Sequence, residues 1–255
     1  MDSRTIHVSL TTVPSRFRYL HSTIDSLVHQ TVQPTRIIIN IPKRYSFRFA
    51  QSISERQIAA LMARYDRGRV SINRVDHDYG PGTKLLGLLE GDSLDRFDAH
   101  AYLVLVDDDV IYDAGMIETF CDRIDRDQAQ FASFRCYWID GVPVGQGVDG
   151  FLIRAKLLGS YLDYYNIIKS EDYLLYHDDL YLSYFFFLQG IRLTFIDFKS
   201  YTFKPMGWID ALSSMTGQYS RSQVQARAIE ILLELDRHGK FDFIKPRRAT
   251  RTTSP

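Results

Sequence analysis

Apolar and polar positions alternate along this chain in two periods, one of strands and one of helices. Thr5 to Leu10 reads as a strand, Thr11 to Arg16 as a polar turn, and Leu20, Ile24, Leu27 and Val28 recur at helical spacing. Pro34 ends that helix, and Arg36 to Ile41 follows as a nearly continuous β-branched run, the pattern of a strand covered on both faces. A second helix is expected from Ser54, its N-cap, to about Tyr65, and a third strand over Val70 to Val75. A short helix over Lys84 to Leu89, capped by Thr83, precedes the most apolar strand, Ala101 to Val106. Met116, Ile117, Phe120 and Ile124 then mark one face of another helix. This β-α-β-α-β order predicts an α/β fold of Rossmann-like type: a doubly wound, mostly parallel sheet with helices on both faces.

The second half alternates less regularly. Strands are expected near Phe131 to Trp138, Gly150 to Ile153 and Ile191 to Ile196, with a helix over Asp179 to Leu188. A last amphipathic helix, about Ser220 to Arg237, aligns Val224, Ile231, Leu232 and Leu235. No repeat or linker interrupts the chain, so one domain is expected over 1–240, followed by a basic tail over 241–255 whose residues from Pro246 read as disordered.

Composition narrows the partners. With 255 residues, 45% of them apolar, the chain can bury a sizeable core. Lys plus Arg and Asp plus Glu both number 31, so no global basic field recruits nucleic acid or anionic membrane. Cys121 and Cys136 make no disulfide framework, and both read as buried thiols of a reducing compartment. The first strand begins too early to leave room for a secretion signal, and the most apolar stretch, Tyr181 to Leu188, is far shorter than the ~20 residues of a membrane span. The expectation is a soluble cytoplasmic protein without a transmembrane segment.

Candidate chemistry collects where ligands bind open α/β sheets, beyond the carboxyl ends of the strands. The strongest strand stops at Asp107, Asp108 and Asp109. Three adjacent carboxylates repel one another, and a divalent cation is a natural compensation. If side chains alternate there, Asp107 and Asp109 point to one side and Asp108 to the other, although an acidic strand-to-helix turn fits the same letters. Upstream, Asp76 to Lys84 carries Asp78, two glycines and Lys84 into a helix start, a place for a phosphate as well as an ordinary turn. Gly145 to Gly150 spells G-x-G-x-x-G, but it does not follow the first strand of a βαβ unit, so a glycine-rich lining of a sugar pocket, or a hairpin connection, is preferred to a dinucleotide fingerprint. Asp178 and Asp179 open the aromatic helix, one sufficing as a cap and the other left to accept a proton from an alcohol. His177 and His238 are weaker ligand candidates, and Trp138, Trp208 and Tyr161, Tyr164, Tyr165, Tyr173 and Tyr176 suit either sugar stacking or core.

Taken together, Thr-Thr-Val-Pro-Ser-Arg after the first strand, Gly-Pro-Gly-Thr-Lys, Asp-Asp-Asp after an apolar strand, the glycine-rich turn and the acidic pair resemble the GT-A fold of nucleotide-sugar glycosyltransferases over about residues 5–200. Within that group the chain is similar to small inverting transferases of bacterial or large-virus surface glycans, including the chlorovirus rhamnosyltransferase type. The resemblance implies a UDP- or dTDP-sugar donor, a glycan or glycoprotein acceptor, and Mn²⁺ or Mg²⁺ at Asp107 and Asp109. It implies a nucleotide-binding half over about 1–110, with Thr11, Thr12, Arg16, Asp78, Lys84 and Asp107 to Asp109 toward the donor. The acceptor half, about 111–240, then supplies Trp138, Gly147, Asp149 and Gly150 to the sugar pocket. The family's base motif falls on Asp178 and Asp179, with Asp179 preferred; Asp178 stands where the family has Glu, and no residue matches a third metal ligand. The rival expectations are a nucleotidyltransferase acting on sugar phosphates and a non-catalytic nucleotide-sugar or carbohydrate-binding module.

Overall fold

The computed structural model describes residues 4–46, 49–90, 97–98, 100–171, 173–174, 176–198, 201–203 and 221–246. Its first half runs β1 (Ile6–Thr11), α1 (Leu20–Val28), β2 (Arg36–Pro42), α2 (Glu55–Met62), β3 (Val70–Val75), α3 (Thr83–Leu89) and β4 (Tyr102–Leu105). The second continues through β5 (Ile111–Tyr112), α4 (Met116–Asp127), β6 (Phe131–Ser133), β7 (Cys136–Ile139), β8 (Val142–Gly145) and β9 (Phe151–Arg154). It closes with α5 (Tyr161–Ile168), α6 (Asp178–Leu188), β10 (Thr194–Phe195), β11 (Tyr201–Phe203) and α7 (Arg221–Arg237).

Seven strands form the central sheet in the order β10-β6-β9-β4-β1-β2-β3, and β5-β11 and β7-β8 form two-stranded pairs beside it. The β1-β2, β2-β3, β1-β4 and β6-β10 pairings are parallel, whereas β9 runs antiparallel between β4 and β6. The sheet is therefore mixed but mostly parallel, as the alternation of elements implied. Residue alternation in β2 and β4 sorts the core: Ile37, Ile39, Ile41 and Val104 pack with α1, α2 and α4 on one face. Ile38, Leu103 and Leu105 pack with α3, α5, α6 and α7 on the other, which is why these strands are apolar at nearly every position.

Local chemistry explains the boundaries. Ser54 caps α2 through a reciprocal capping box with Gln57. Thr83, expected as a cap, is instead the first residue of α3, because Gly80–Gly82 forms a 3₁₀ turn that leads straight into the helix; its hydroxyl accepts from the Tyr79 N–H at 3.0 Å. Phe131 to Trp138, expected as one strand, is two. The Ser133 hydroxyl takes up the Arg135 and Gln146 N–H groups at 3.4 and 3.2 Å, and β7 leaves the main sheet to form a hairpin with β8. The 3₁₀ turn Gly147–Asp149 and Gly150, at φ +105°, then lead into β9. Beneath α3, a polar residue from each of three strands forms a spine, buried at Ser9 and Asn40 and half-buried at Asn73. Asn73 donates to Asn40 Oδ1 at 2.9 Å and to the Gly87 carbonyl at 2.7 Å, and Asn40 donates to Ser9 Oγ at 2.8 Å. A Cβ on Gly87 would lie 2.8 Å from Val75 Cγ1, so only glycine permits this approach of helix to sheet.

Tyr161, Tyr164 and Tyr165 are buried on α5, where they build core, while Tyr173 and Tyr176 are exposed. Cys121 is buried and Cys136 half-buried, the latter on the hairpin and not in the core. Trp208 and the tail residues 247–255 lie outside the described residues, and among those described no helix is long and apolar enough to cross a membrane.

Candidate active site

The carboxyl ends of β1 and β4, the N-termini of α3 and α6 and the turn after β8 converge on one buried lysine. Lys84, with 4% of its side chain exposed, places Nζ 2.9 Å from Asp107 Oδ1 and 2.9 Å from Asp178 Oδ2. Its backbone carbonyl is pinned by Ser9 Oγ and by Asn40 Nδ2, so the polar spine below α3 also sets the position of the lysine. Burial acts to strip Lys84 of its proton, but the carboxylates of Asp107, Asp178 and Asp179 outweigh it and hold its pKa well above the usual lysine range. The anion that Lys84 faces in this structure is thus a pair of carboxylates.

The aspartate triad is held differently from the alternation expected of an extended strand. β4 ends at Leu105, and Asp107 to Asp109 follow a turn. Asp108 and Asp109 accordingly face the same guanidinium, with Arg16 Nη2 3.1 Å from Asp108 Oδ1 and Nη1 2.9 Å from Asp109 Oδ2. Asp108 is buried, and desolvation raises its pKa against the pull of Arg16. Asp107, a third exposed, faces Lys84 instead, and its N–H donates to the Tyr112 hydroxyl at 2.9 Å.

Asp178 and Asp179 occupy the first turn of α6, yet neither caps it: the N-cap position is His177, whose side chain does not bond the helix's first N–H groups. His177 is buried at the site's edge, whereas His238 is exposed beyond α7. Successive helical residues point in different directions, and this separates the two acids. Asp178 reaches Lys84, while Asp179 Oδ1 accepts from the Gly147 N–H at 3.0 Å. Burial, then the Asp178 carboxylate, then Asp107 push the Asp179 carboxyl up to about 8, against the opposing effects of Lys84 and the Gly147 amide. A Cβ on Gly147 would sit 2.6 Å from Asp179 Oδ1, so the absence of a side chain lets the turn meet the acid.

The remaining candidates surround this centre. The Thr11 hydroxyl donates to the Asn40 carbonyl at 2.9 Å, and Thr12 is buried with its carbonyl accepting from Tyr45 at 2.8 Å. Asp78 accepts from the Ser46 and Gly80 N–H groups at 2.9 and 3.0 Å and so ties the loop after β2 to the turn before α3. Asp149 is buried with Arg135 Nε 3.2 Å away, and Gly150 forms the left-handed exit of the turn. Trp138 stands 70% exposed on the hairpin. Tyr112, Arg135 and Ser183, which accepts from the Gly145 N–H at 3.1 Å, escape sequence reasoning because none lies within a recognisable motif. One residue of the polar spine was findable: Asn40 interrupts the otherwise β-branched run of β2, whereas Ser9 and Asn73 share their strands with His7 and with Ser71 and Arg74.

As a donor set, the site is rich in hard oxygen. Two cationic side chains, Arg16 and Lys84, face the carboxyl groups of Asp107, Asp108, Asp109, Asp178 and Asp179, an excess of oxygen donors that suits Mg²⁺ or Mn²⁺. Among the described residues no three His, Cys, Asp or Glu side chains form a ready cage.

No family model matches this chain, and no curated protein does. Solved structures match in shape. S. aureus TarS 1-349 superposes at a TM-score of 0.50 with 16% identity, covering 77% of this chain and 59% of that one. The same protein in complex with UDP gives 0.51 and 15%, covering 96% and 76%. This chain therefore shares the fold of a GT-A-like glycosyltransferase, a single α/β unit around a seven-stranded sheet.

Proposed function

We propose that this chain is an inverting glycosyltransferase that moves a sugar from a UDP- or dTDP-sugar to a hydroxyl of a glycan or glycoprotein acceptor. One observation carries the reading: at a single sheet edge, a carboxylate cluster suited to a metal-bound diphosphate adjoins a separate carboxyl whose pKa of about 8 lies near the pH at which a proton acceptor works best. The shared fold with TarS, whose structure was obtained with UDP, supports a nucleotide-sugar donor. In this reading the catalytic unit spans 1–240, with about 1–110 toward the donor and 111–240 toward the acceptor.

Thr11, Thr12, Arg16 and Asp78 surround the base and ribose. Asp107 and Asp109 would hold Mn²⁺ or Mg²⁺, which when bound neutralises the charge developing on the departing diphosphate. Asp179, ionised, takes the proton of the acceptor hydroxyl. The acceptor oxygen bonds to the anomeric carbon as the bond from that carbon to the diphosphate oxygen breaks, and the electron pair leaves with the nucleoside diphosphate. A single displacement from the opposite side inverts the centre. Gly147, Asp149 and Gly150 line the approach of the sugar, and the exposed Trp138 ring offers a face for acceptor stacking.

The test is product identity with a panel of UDP- and dTDP-sugars in the presence of Mn²⁺. Release of nucleoside diphosphate supports glycosyl transfer. Pyrophosphate from a nucleoside triphosphate and a sugar phosphate means a nucleotidyltransferase, and binding without either product means a carbohydrate-binding module. dTDP-rhamnose in the panel tests the narrower likeness to chlorovirus-type rhamnosyltransferases, to which the solved structures lend nothing.

A further inference from the structure

Two side chains with no assigned step in the reaction close a ring of contacts around the site. Lys84 Nζ joins Asp107 to Asp178 at 2.9 Å on each side. The Tyr112 hydroxyl accepts from the Asp107 N–H at 2.9 Å and donates to the Val148 carbonyl at 3.2 Å. Gly147, the neighbour of Val148, donates its N–H to Asp179. The path from Asp107 through Lys84 to the acidic pair, and back through the glycine turn and Tyr112, therefore returns to its start.

We propose that Lys84 and Tyr112 are positioning residues that fix the Asp178–Asp179 pair relative to Asp107, so that the base and the donor-binding carboxylates share one geometry; this deepens, and rests on, the glycosyl-transfer reading. No local structure makes this link. Residue 84, the stretch 107–112, residues 147–148 and residues 178–179 are far apart in sequence, and only side chains and turns join them. Both bridges stand on anchored ground. The carbonyl of Lys84 is bonded to Ser9 and Asn40, and the N–H of Tyr112 donates to Ser26 Oγ at 3.1 Å. Tyr112 is buried, and its hydroxyl lies within hydrogen-bond reach of the Val148 carbonyl. A lysine meant chiefly for phosphate needs an open ammonium, whereas this one is enclosed by carboxylates.

The test compares Tyr112→Phe, Lys84→Met and the double variant, reading kcat for donor-sugar hydrolysis, the Kd of UDP by calorimetry, and hydrogen exchange at the Gly147 amide. Tyr112→Phe is expected to lower kcat by about tenfold and Lys84→Met by about a hundredfold, because a small misplacement of a reacting group is enough for such losses. The UDP Kd should move less than about threefold, and the double variant should be little worse than Lys84→Met alone, as for residues acting through one unit. Gly147 exchange should quicken about tenfold or more in Tyr112→Phe. Losses that simply multiply, an unchanged kcat in Tyr112→Phe, or a UDP Kd raised about tenfold in Lys84→Met with kcat intact would each overturn the proposal, the last by making Lys84 a phosphate contact. If Lys84→Met does not fold, Tyr112→Phe alone decides. If the wild-type chain turns over no nucleotide sugar, the glycosyl-transfer reading falls while the ring is still judged: faster Gly147 exchange in Tyr112→Phe upholds it, and unchanged exchange rejects it.

Discussion

Asp179→Asn separates the catalytic role of this residue from its effect on the fold, because the two are expected to change in opposite directions. The substitution keeps an oxygen for the Gly147 N–H, now 3.0 Å away, and removes the ionisable group. In the folded chain the Asp179 carboxyl titrates near 8, against 3.8 for an ordinary aspartate, raised first by burial and then by Asp178. Between those values the folded state keeps a proton that the unfolded chain has released. Stability from this group is therefore greatest below pH 4 and is lost as pH rises toward 8. At ~1.4 kcal/mol per pH unit the loss is on the order of several kcal/mol above pH 8. The Asn variant escapes it, so its melting temperature at pH 8 should exceed wild type by roughly 5 °C or more, with the gain vanishing near pH 4. Turnover should fall by ~10²–10⁴, the usual worth of a positioned base, with the UDP Kd nearly unchanged. Wild-type kcat should climb with pH up to about 8, since only the ionised acid accepts a proton. Scanning calorimetry at pH 4 and 8, with product assays across that range, provides the check. An Asn variant that gains no stability at pH 8, or that retains full turnover, refutes the reasoning; loss of turnover in Asp178→Asn alone would exchange the roles of the two acids.

Three further perturbations probe the rest of the site. Asp109→Ala should abolish donor turnover while the fold survives, because Arg16 keeps its contact with Asp108 at 3.1 Å; activity that persists in this variant and in EDTA would sink the metal role. Gly147→Ala should reduce kcat far more than UDP affinity, since the new methyl would press on Asp179 Oδ1 at 2.6 Å and lies 3.1 Å from Lys84 Nζ; an active variant would show that the turn yields freely. Arg16→Ala should raise the UDP Kd roughly tenfold, for the loss of ~1.4 kcal/mol in a charge-assisted contact, and lower the melting temperature by leaving Asp108 buried without its cation. An unchanged Kd by titration would remove Arg16 from the donor site.

The parallel half of the sheet was legible because its signals are long and redundant. β2 is a β-branched run broken only by Asn40, β3 begins with apolar and polar residues in alternation, and α2 carries a full capping box. Legibility failed where long-range pairing overrides local pattern. β5 has two residues and exists only through its partner β11, so no window of sequence marks it, while of the strand expected over Ile191 to Ile196 only Thr194–Phe195 pairs, as β10 against β6. α5 was hidden by its tyrosines, whose ring and hydroxyl suit a sugar face as well as a core. The site was legible as a list of residues and not as a geometry. Period-two alternation placed Asp107 with Asp109, but that rule needs an extended strand, and β4 has already ended; Arg16 then gathers Asp108 and Asp109 while Lys84 takes Asp107.

The same limit explains why adjacency alone left the two acids of α6 interchangeable. On the helix they diverge, and what each meets is decided by residues nearly a hundred or about thirty positions away. Asp178 turns to Lys84, which the Ser9–Asn40–Asn73 spine holds in place. Asp179 turns to a glycine amide, where one N–H opposes but does not outweigh burial and the neighbouring carboxylate. The proton affinity of Asp179 is thus set by the partners that long-range contacts give it. Gly147→Lys would place a cation at Asp179 and lower its pKa, so the glycine at that position serves the proton affinity of Asp179 as well as the space around it.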